Sequence, residues 1–310
     1  MKITFSSLLV LLTFSISAQA QKPILRSWQD KNESLVKLSY FVPEATWSSQ
    51  FDFTYSTSSG KSKTGGVTNY EVKSKSTEIG AALAYGLNSE INLMLGWQYL
   101  MSSENTYDTT PEQTFKYKGA EDPLLALAWR FFKSPENKSA KVIFAYSPST
   151  GKTKGASATE DGNALRGGDY AYVTGVFTAE MSPATEVSVF VQRSHSFESK
   201  SEADTVRDPY GATILSAKIL HDTDGGFYLG GGLTIGSVDA RSSKSSTGAK
   251  SESGAYTATV LEVDVAADLD ANNGLSGALV SALPFSYKSD TDDIENNQSL
   301  SLKLGWTHQF

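Results

Sequence analysis

The chain has 310 residues, 39% of them apolar, 11% aromatic and 20% charged, with 25 Gly, 9 Pro and no Cys. The aromatic content excludes a wholly disordered chain, and the mean hydropathy of -0.27 excludes a bundle of apolar transmembrane helices. The missing cysteines exclude disulfides, thiolate catalysis and cysteine-ligated zinc, while 27 basic against 34 acidic residues speak against a nucleic-acid partner.

At the N-terminus, Lys2 precedes an apolar run from Ile3 to Ile16, and Ala18-Gln19-Ala20 follows. A basic start, a short apolar region and small residues before the cut define a secretory signal peptide over 1–20, cleaved after Ala20. Residues 21–45 come next, and three readings stay open for them: a periplasmic tail, a short helix around Glu33–Tyr40, or a plug entering the fold.

From about Thr46 to Phe310, apolar and polar residues alternate in stretches with the period of a strand that has two different faces. Ile91, Leu93, Leu95, Trp97 and Tyr99 share one face; Val187, Val189 and Val191 share another. Leu261, Val263 and Val265 oppose Glu262, Asp264 and Asp268, and the last strand sets Leu300, Leu302, Leu304 and Trp306 against Ser301, Lys303 and Thr307. Twelve strands are predicted, over 46–58, 69–85, 90–101, 115–132, 140–149, 168–181, 186–198, 209–221, 226–239, 253–270, 275–288 and 297–310.

Their connections alternate between short turns, as at Gly86–Ser89, and longer polar loops, as at Ser59–Thr68, Thr150–Gly167 and Ala240–Glu252. A soluble sandwich also alternates, but nothing in it forces turns to one end and loops to the other. Short periplasmic turns and long external loops are the pattern of an all-β, transmembrane, antiparallel up-and-down barrel spanning 46–310. The many charges on the less apolar face would be costly in a dry sandwich core, whereas a wet lumen hydrates them. By parity, Asp52, Glu78, Arg130, Glu186, Lys218, Glu262, Asp264, Asp268 and Lys303 point into that lumen, where such side chains set selectivity.

Trp47, Tyr85, Trp97, Tyr99, Trp129, Phe131, Tyr287 and Trp306 fall toward strand ends and read as an interfacial girdle. Phe310 is in phase with Trp306 and His308, which resembles the C-terminal pattern by which the barrel assembly machinery recognises outer-membrane proteins. The expected surroundings are outer-membrane lipid and lipopolysaccharide of a Gram-negative bacterium, the latter met by loop lysines.

No cofactor, metal or catalytic residue is read. Ser149-Thr150-Gly151-Lys152-Thr153 lacks the first glycine of a phosphate loop, since Tyr146 stands there. The acidic run Asp290–Glu295 lacks the glycine and spacing of a calcium loop. Ser194-His195-Ser196 cannot form a nucleophile–base pair along one strand, because neighbours point to opposite faces; a protease rim would need His195 to meet Asp204 and Asp208.

Three stretches carry a family likeness. Tyr85-Gly86-Leu87-Asn88-Ser89-Glu90-Ile91 is similar to a "Y-G-L-T-D-x-L" turn. Gly119-Ala120-Glu121-Asp122-Pro123-Leu124, with Leu127-Ala128-Trp129-Arg130-Phe131, is similar to a "G-x-G-D" strand in which Glu121 replaces the second glycine. Ser147-Pro148-Ser149-Thr150-Gly151 echoes a "P-T-G" strand end with one inserted serine. In these the chain resembles the MetA-pathway phenol-degradation family of outer-membrane barrels. The resemblance implies a transporter for small, often hydrophobic compounds and transfers no catalytic residue. The expectation is a monomeric barrel passing a small-molecule solute; the alternatives are a structural or adhesion barrel working through its loops, or an outer-membrane lipase or protease.

Overall fold

The computed structural model describes residues 41–64, 67–134, 137–157, 159–223, 227–288 and 293–310. The predicted signal peptide, residues 21–40 and the acidic positions 290–292 lie outside the described residues. Regular structure among the described residues is all strand, in chain order β1 (Trp47–Thr64), β2 (Val67–Gly86), β3 (Ile91–Tyr107), β4 (Gln113–Ala120), β5 (Leu124–Lys133), β6 (Lys138–Ser147), β7 (Tyr170–Ser182) and β8 (Thr185–Ser196). There follow β9 (Ser199–Lys200), β10 (Val206–Arg207), β11 (Tyr210–Asp222), β12 (Phe227–Val238), β13 (Arg241–Lys244), β14 (Lys250–Ser253), β15 (Tyr256–Asp268), β16 (Asn273–Tyr287) and β17 (Asp293–Gln309).

Each barrel strand pairs antiparallel with the barrel strands before and after it, except that β4 pairs with β3 alone, and β1 closes the sheet by pairing with both β2 and β17. Closure leaves no strand edge exposed to lipid, which is what allows a sheet to cross a bilayer. Since β4 and β5 both pair with β3 and succeed one another along it, they occupy one position, and the barrel has twelve strands.

The outer face follows the sequence pattern. Phe51, Leu95, Trp97, Val191, Leu261, Val263 and Leu304 all stand exposed on it, while their neighbours in the chain face inward. This apolar belt is hydrated poorly and lipid accommodates it; about ten residues of each tilted strand suffice to span the hydrocarbon.

Four features depart from the sequence expectation. The predicted strand over 115–132 is broken at Glu121-Asp122-Pro123, where Pro123 has no N–H to give a ladder and Gly119 adopts φ 126. Buried Asp122 turns the break into an anchor: it accepts from Thr150 N and Oγ1, each at 2.7 Å, and from Arg166 N at 3.0 Å. That ties the long connection 148–169 against the barrel, and Gly162 bridges Tyr117 on β4.

Secondly, the described residues of the predicted loop Ser59–Thr68 are strand. β1 and β2 run on for 18 and 20 residues and stay paired from Trp47↔Tyr85 to Thr64↔Val67, well past the length the bilayer needs. Thirdly, β9, β10, β13 and β14 from two external connections form a separate four-stranded sheet. Fourthly, Tyr287 leaves the predicted girdle. The register of β16 shifts between Ala282 and Phe285 and again before Tyr287, and its ring is buried against Tyr256, centroids 5.2 Å apart.

Candidate functional site

The barrel interior carries the chemistry. One wall is apolar: Leu124, Ala126 and Ala128 of β5, Ile143 and Ala145 of β6, Tyr170, Tyr172 and Val176 of β7, Phe190 of β8 and Ile214 of β11 form one buried cluster. Phe41, ahead of β1, belongs to it. Alternation alone could not reveal this wall, because Leu124-Leu125-Ala126-Leu127-Ala128-Trp129 is apolar on both faces.

The opposite wall is charged. Lys218 on β11, Glu262 and Asp264 on β15, Lys303 on β17, Asp52 on β1 and Glu78 on β2 lie on the inner side of the sheet. Lys218 Nζ reaches Glu262 Oε2 at 2.7 Å and Asp264 at 3.9 Å. These residues are two strands apart, and the register row Lys218↔Gly232↔Glu262 explains the contact. Gly232 has no side chain to block the lysine, and a Cβ there would lie 3.0 Å from Lys218 Cγ. The glycine run of β12 thus has a mechanical role.

Further round, the row Asp264↔Ala278↔Lys303↔Thr54↔Glu78 places Lys303 between acids with only small residues intervening. Lys303 lies within electrostatic range of Glu262, Lys218, Asp52 and Glu78. Asp52 accepts from Gln50 Nε2 at 3.0 Å.

The remaining predicted lumen residues sit lower, toward the short turns. Arg130 is buried, donates to the Ser89 carbonyl, and holds its guanidinium 4.5 Å above the Phe41 ring. Lys141 on β6, missed in the sequence reading, is buried within electrostatic range of Glu186 and Arg130. It follows Ala140 and precedes Val142 with no clean alternation to mark it. Asp268 accepts from Tyr228 Oη at 3.4 Å.

At this end the segment before β1 tucks inside the wall. Val42 is fully buried, and with the Asn92 amide oriented to suit, Asn92 donates to its carbonyl and accepts from its N–H. Ala45 N donates to Gly86 O at 2.8 Å, and a Cβ on Gly86 would lie 1.9 Å from the Pro43 carbonyl, so only glycine fits.

At the outer end the interior is lined by tyrosine and arginine. Arg241 of β13 lies 4.5 Å over the Tyr210 ring and donates to Tyr256 Oη at 3.2 Å; Tyr256 stacks on Phe285. Arg166 lies 4.8 Å over Tyr170.

The enzyme alternatives find no assembled constellation among the described residues. His195 faces outward, edge-on to Phe197 at 4.7 Å, while Ser194 points inward. Asp204 pairs with Lys152 at 3.3 Å and Asp208 bonds Ser242, so the two acids are engaged elsewhere. On the outer face, Trp306 and His308 both bond Asn273 Oδ1, at 3.2 and 2.9 Å, and the His308 ring meets Phe310 edge-on.

No protein-family model and no curated protein matches the chain. Among solved structures it is similar to an outer membrane channel from Pseudomonas putida F1, with TM-score 0.58 and 13% identity over 91% of this chain and 100% of that one. It is also similar to the transport unit of the autotransporter AIDA-I from Escherichia coli, with TM-score 0.51 and 12% identity over 97% of this chain and 99% of the other. At such identity the likeness is one of fold. Closed, twelve-stranded and belted with apolar side chains, the chain has the β-barrel fold of outer-membrane proteins.

Proposed function

We propose that the chain is a monomeric channel of the Gram-negative outer membrane, through which small molecules, hydrophobic and aromatic ones included, pass without energy input. One observation carries the reading: a charged wall from Lys218 round to Glu78 faces an apolar wall from Leu124 to Ile214 across the interior. A passage of that make-up gives an amphipathic solute apolar contact on one side and polar contact on the other. The signal peptide over 1–20, the resemblance to phenol-degradation barrels and the Trp306–His308–Phe310 ladder, read as a signal to the assembly machinery, agree with it. Phe41 and Val42, just ahead of β1, serve in this reading as an apolar stopper inside the wall at the periplasmic end.

Purified protein in planar bilayers tests the proposal. Discrete conductance steps are expected, with uptake of small solutes into liposomes. A barrel that inserts but never conducts would favour the structural or adhesion reading, and turnover of phospholipid or peptide abolished by His195→Ala would favour an enzyme.

A further inference from the structure

The small external sheet has an unusual distribution of side chains. Lys200, Lys244, Lys250 and Glu252 are exposed on one face. The other face is set by register: Ser199 pairs with Arg207, Arg207 with Ser243, Ser243 with Ser251, and Arg241 with Ser253. Ser199, Ser243 and Ser253 are buried, so this side is turned onto the barrel mouth and carries two guanidiniums among hydroxyls.

Neither arginine has a carboxylate partner among the described residues. The nearby acids are committed, Asp239 to Arg193 at 2.5 Å and Asp208 to Ser242. Arg241 Nη1 and Ser251 Oγ are buried donors with no hydrogen-bond partner among the described residues. Arg207 lies within electrostatic range of Arg241, Tyr210 and Tyr117, and burial pushes its guanidinium down to about 10, so it remains charged at neutral pH. Two like charges held together under a cover, with donors unfilled, are stabilised by an anion between them.

We infer that Arg207 and Arg241, held beneath the external sheet against Tyr210 and Tyr256, form a binding site for small aromatic carboxylates at the outer mouth of the barrel. The guanidinium fork matches the planar, two-oxygen carboxylate; with Arg241 over one face of Tyr210 and Phe285 stacked on Tyr256, a ring would meet the part-exposed sides of Tyr210 and Phe285. Phosphate could use the same forks but would leave the aromatic wall without a partner. The inference deepens the channel reading and rests on it for its role, since a solute arriving from outside meets this site first.

The test uses the full-length protein in detergent and in planar bilayers, with benzoate, benzamide and inorganic phosphate as probes. Benzoate is expected to bind by calorimetry and to block the wild-type current, with benzamide and phosphate each weaker by about tenfold or more. The double variant Arg207→Gln/Arg241→Gln loses that benzoate affinity by at least about tenfold, and Arg241→Lys, which keeps the charge but not the fork, falls between. Equal binding of benzoate and benzamide to wild type, a measurement independent of any variant's folding, overturns the site. So does unchanged benzoate affinity in a folded double variant. Phosphate binding as tightly as benzoate overturns the aromatic part. Conductance without benzoate binding sinks the site alone, whereas arginine-dependent binding to a barrel that never conducts sinks the channel reading alone.

Discussion

Gly232 sets the chemistry of two residues that it separates in the sheet. Lys218 and Glu262 meet at 2.7 Å only because the intervening position on β12 has no side chain. Both are largely buried, at 16% and 5% side-chain exposure, so an uncompensated partner left by a wedge is costly. Gly232→Leu is expected to part them and destabilise the folded barrel by about 3 kcal/mol, the scale for breaking a buried pair. Gly232→Ala costs less, because a methyl group meets Lys218 Cγ at 3.0 Å and the Ala217 carbonyl at 3.3 Å and asks them to give by only a few tenths of an ångström, without reaching between the charged ends. Urea unfolding of the two variants in lipid vesicles, compared with wild type, measures both.

The element that most departs from the sequence reading is the fourth barrel strand. A continuous alternating stretch over 115–132 reads as one strand, yet Pro123 interrupts the ladder and Asp122 recruits a distant connection through Thr150 and Arg166. Asp161 strengthens the same attachment, its carboxyl held below the usual range by the hydrogen bond from Lys118 at 2.8 Å. Asp122→Ala removes three hydrogen bonds to a charged acceptor and is expected to cost about 1–3 kcal/mol of local stability. Amide exchange over 148–169 should accelerate while exchange in β6 and β7 stays as it was; equal acceleration in the strands would mean that Asp122 supports the barrel itself.

Across the whole molecule, the two faces of the sheet contact different media, and parity decides which side chain meets which. Glu262 and Val263 are adjacent, one buried inside and the other 62% exposed on the outer belt. In the cysteine-free background, Val263→Cys is expected to react with a lipid-dissolved maleimide and Glu262→Cys with a small water-soluble one entering the lumen. The reverse pattern would invert the barrel wall. The same assay at positions 101 to 103 reads out the bulge in β3, where pairing skips between Leu100 and Ser103 and strict alternation fails.

Most barrel strands, their outward faces and the short turns were determined by the sequence alone, because a two-medium sheet imposes a period of two that no tertiary contact has to supply. Register, not pattern, decided the interior. That Lys218 crosses Gly232, that Lys141 joins Arg130 and Glu186, and that Tyr287 turns in to Tyr256 all follow from pairings between strands and from bulges, which shift side chains by one residue. The external sheet was least legible of all. Ser199–Arg207 and Arg241–Ser253 are short, polar and separated in the chain, and only the successive pairing of β8, β11, β12 and β15 sets their two connections side by side at one end, where Arg241 meets Tyr210 and Tyr256.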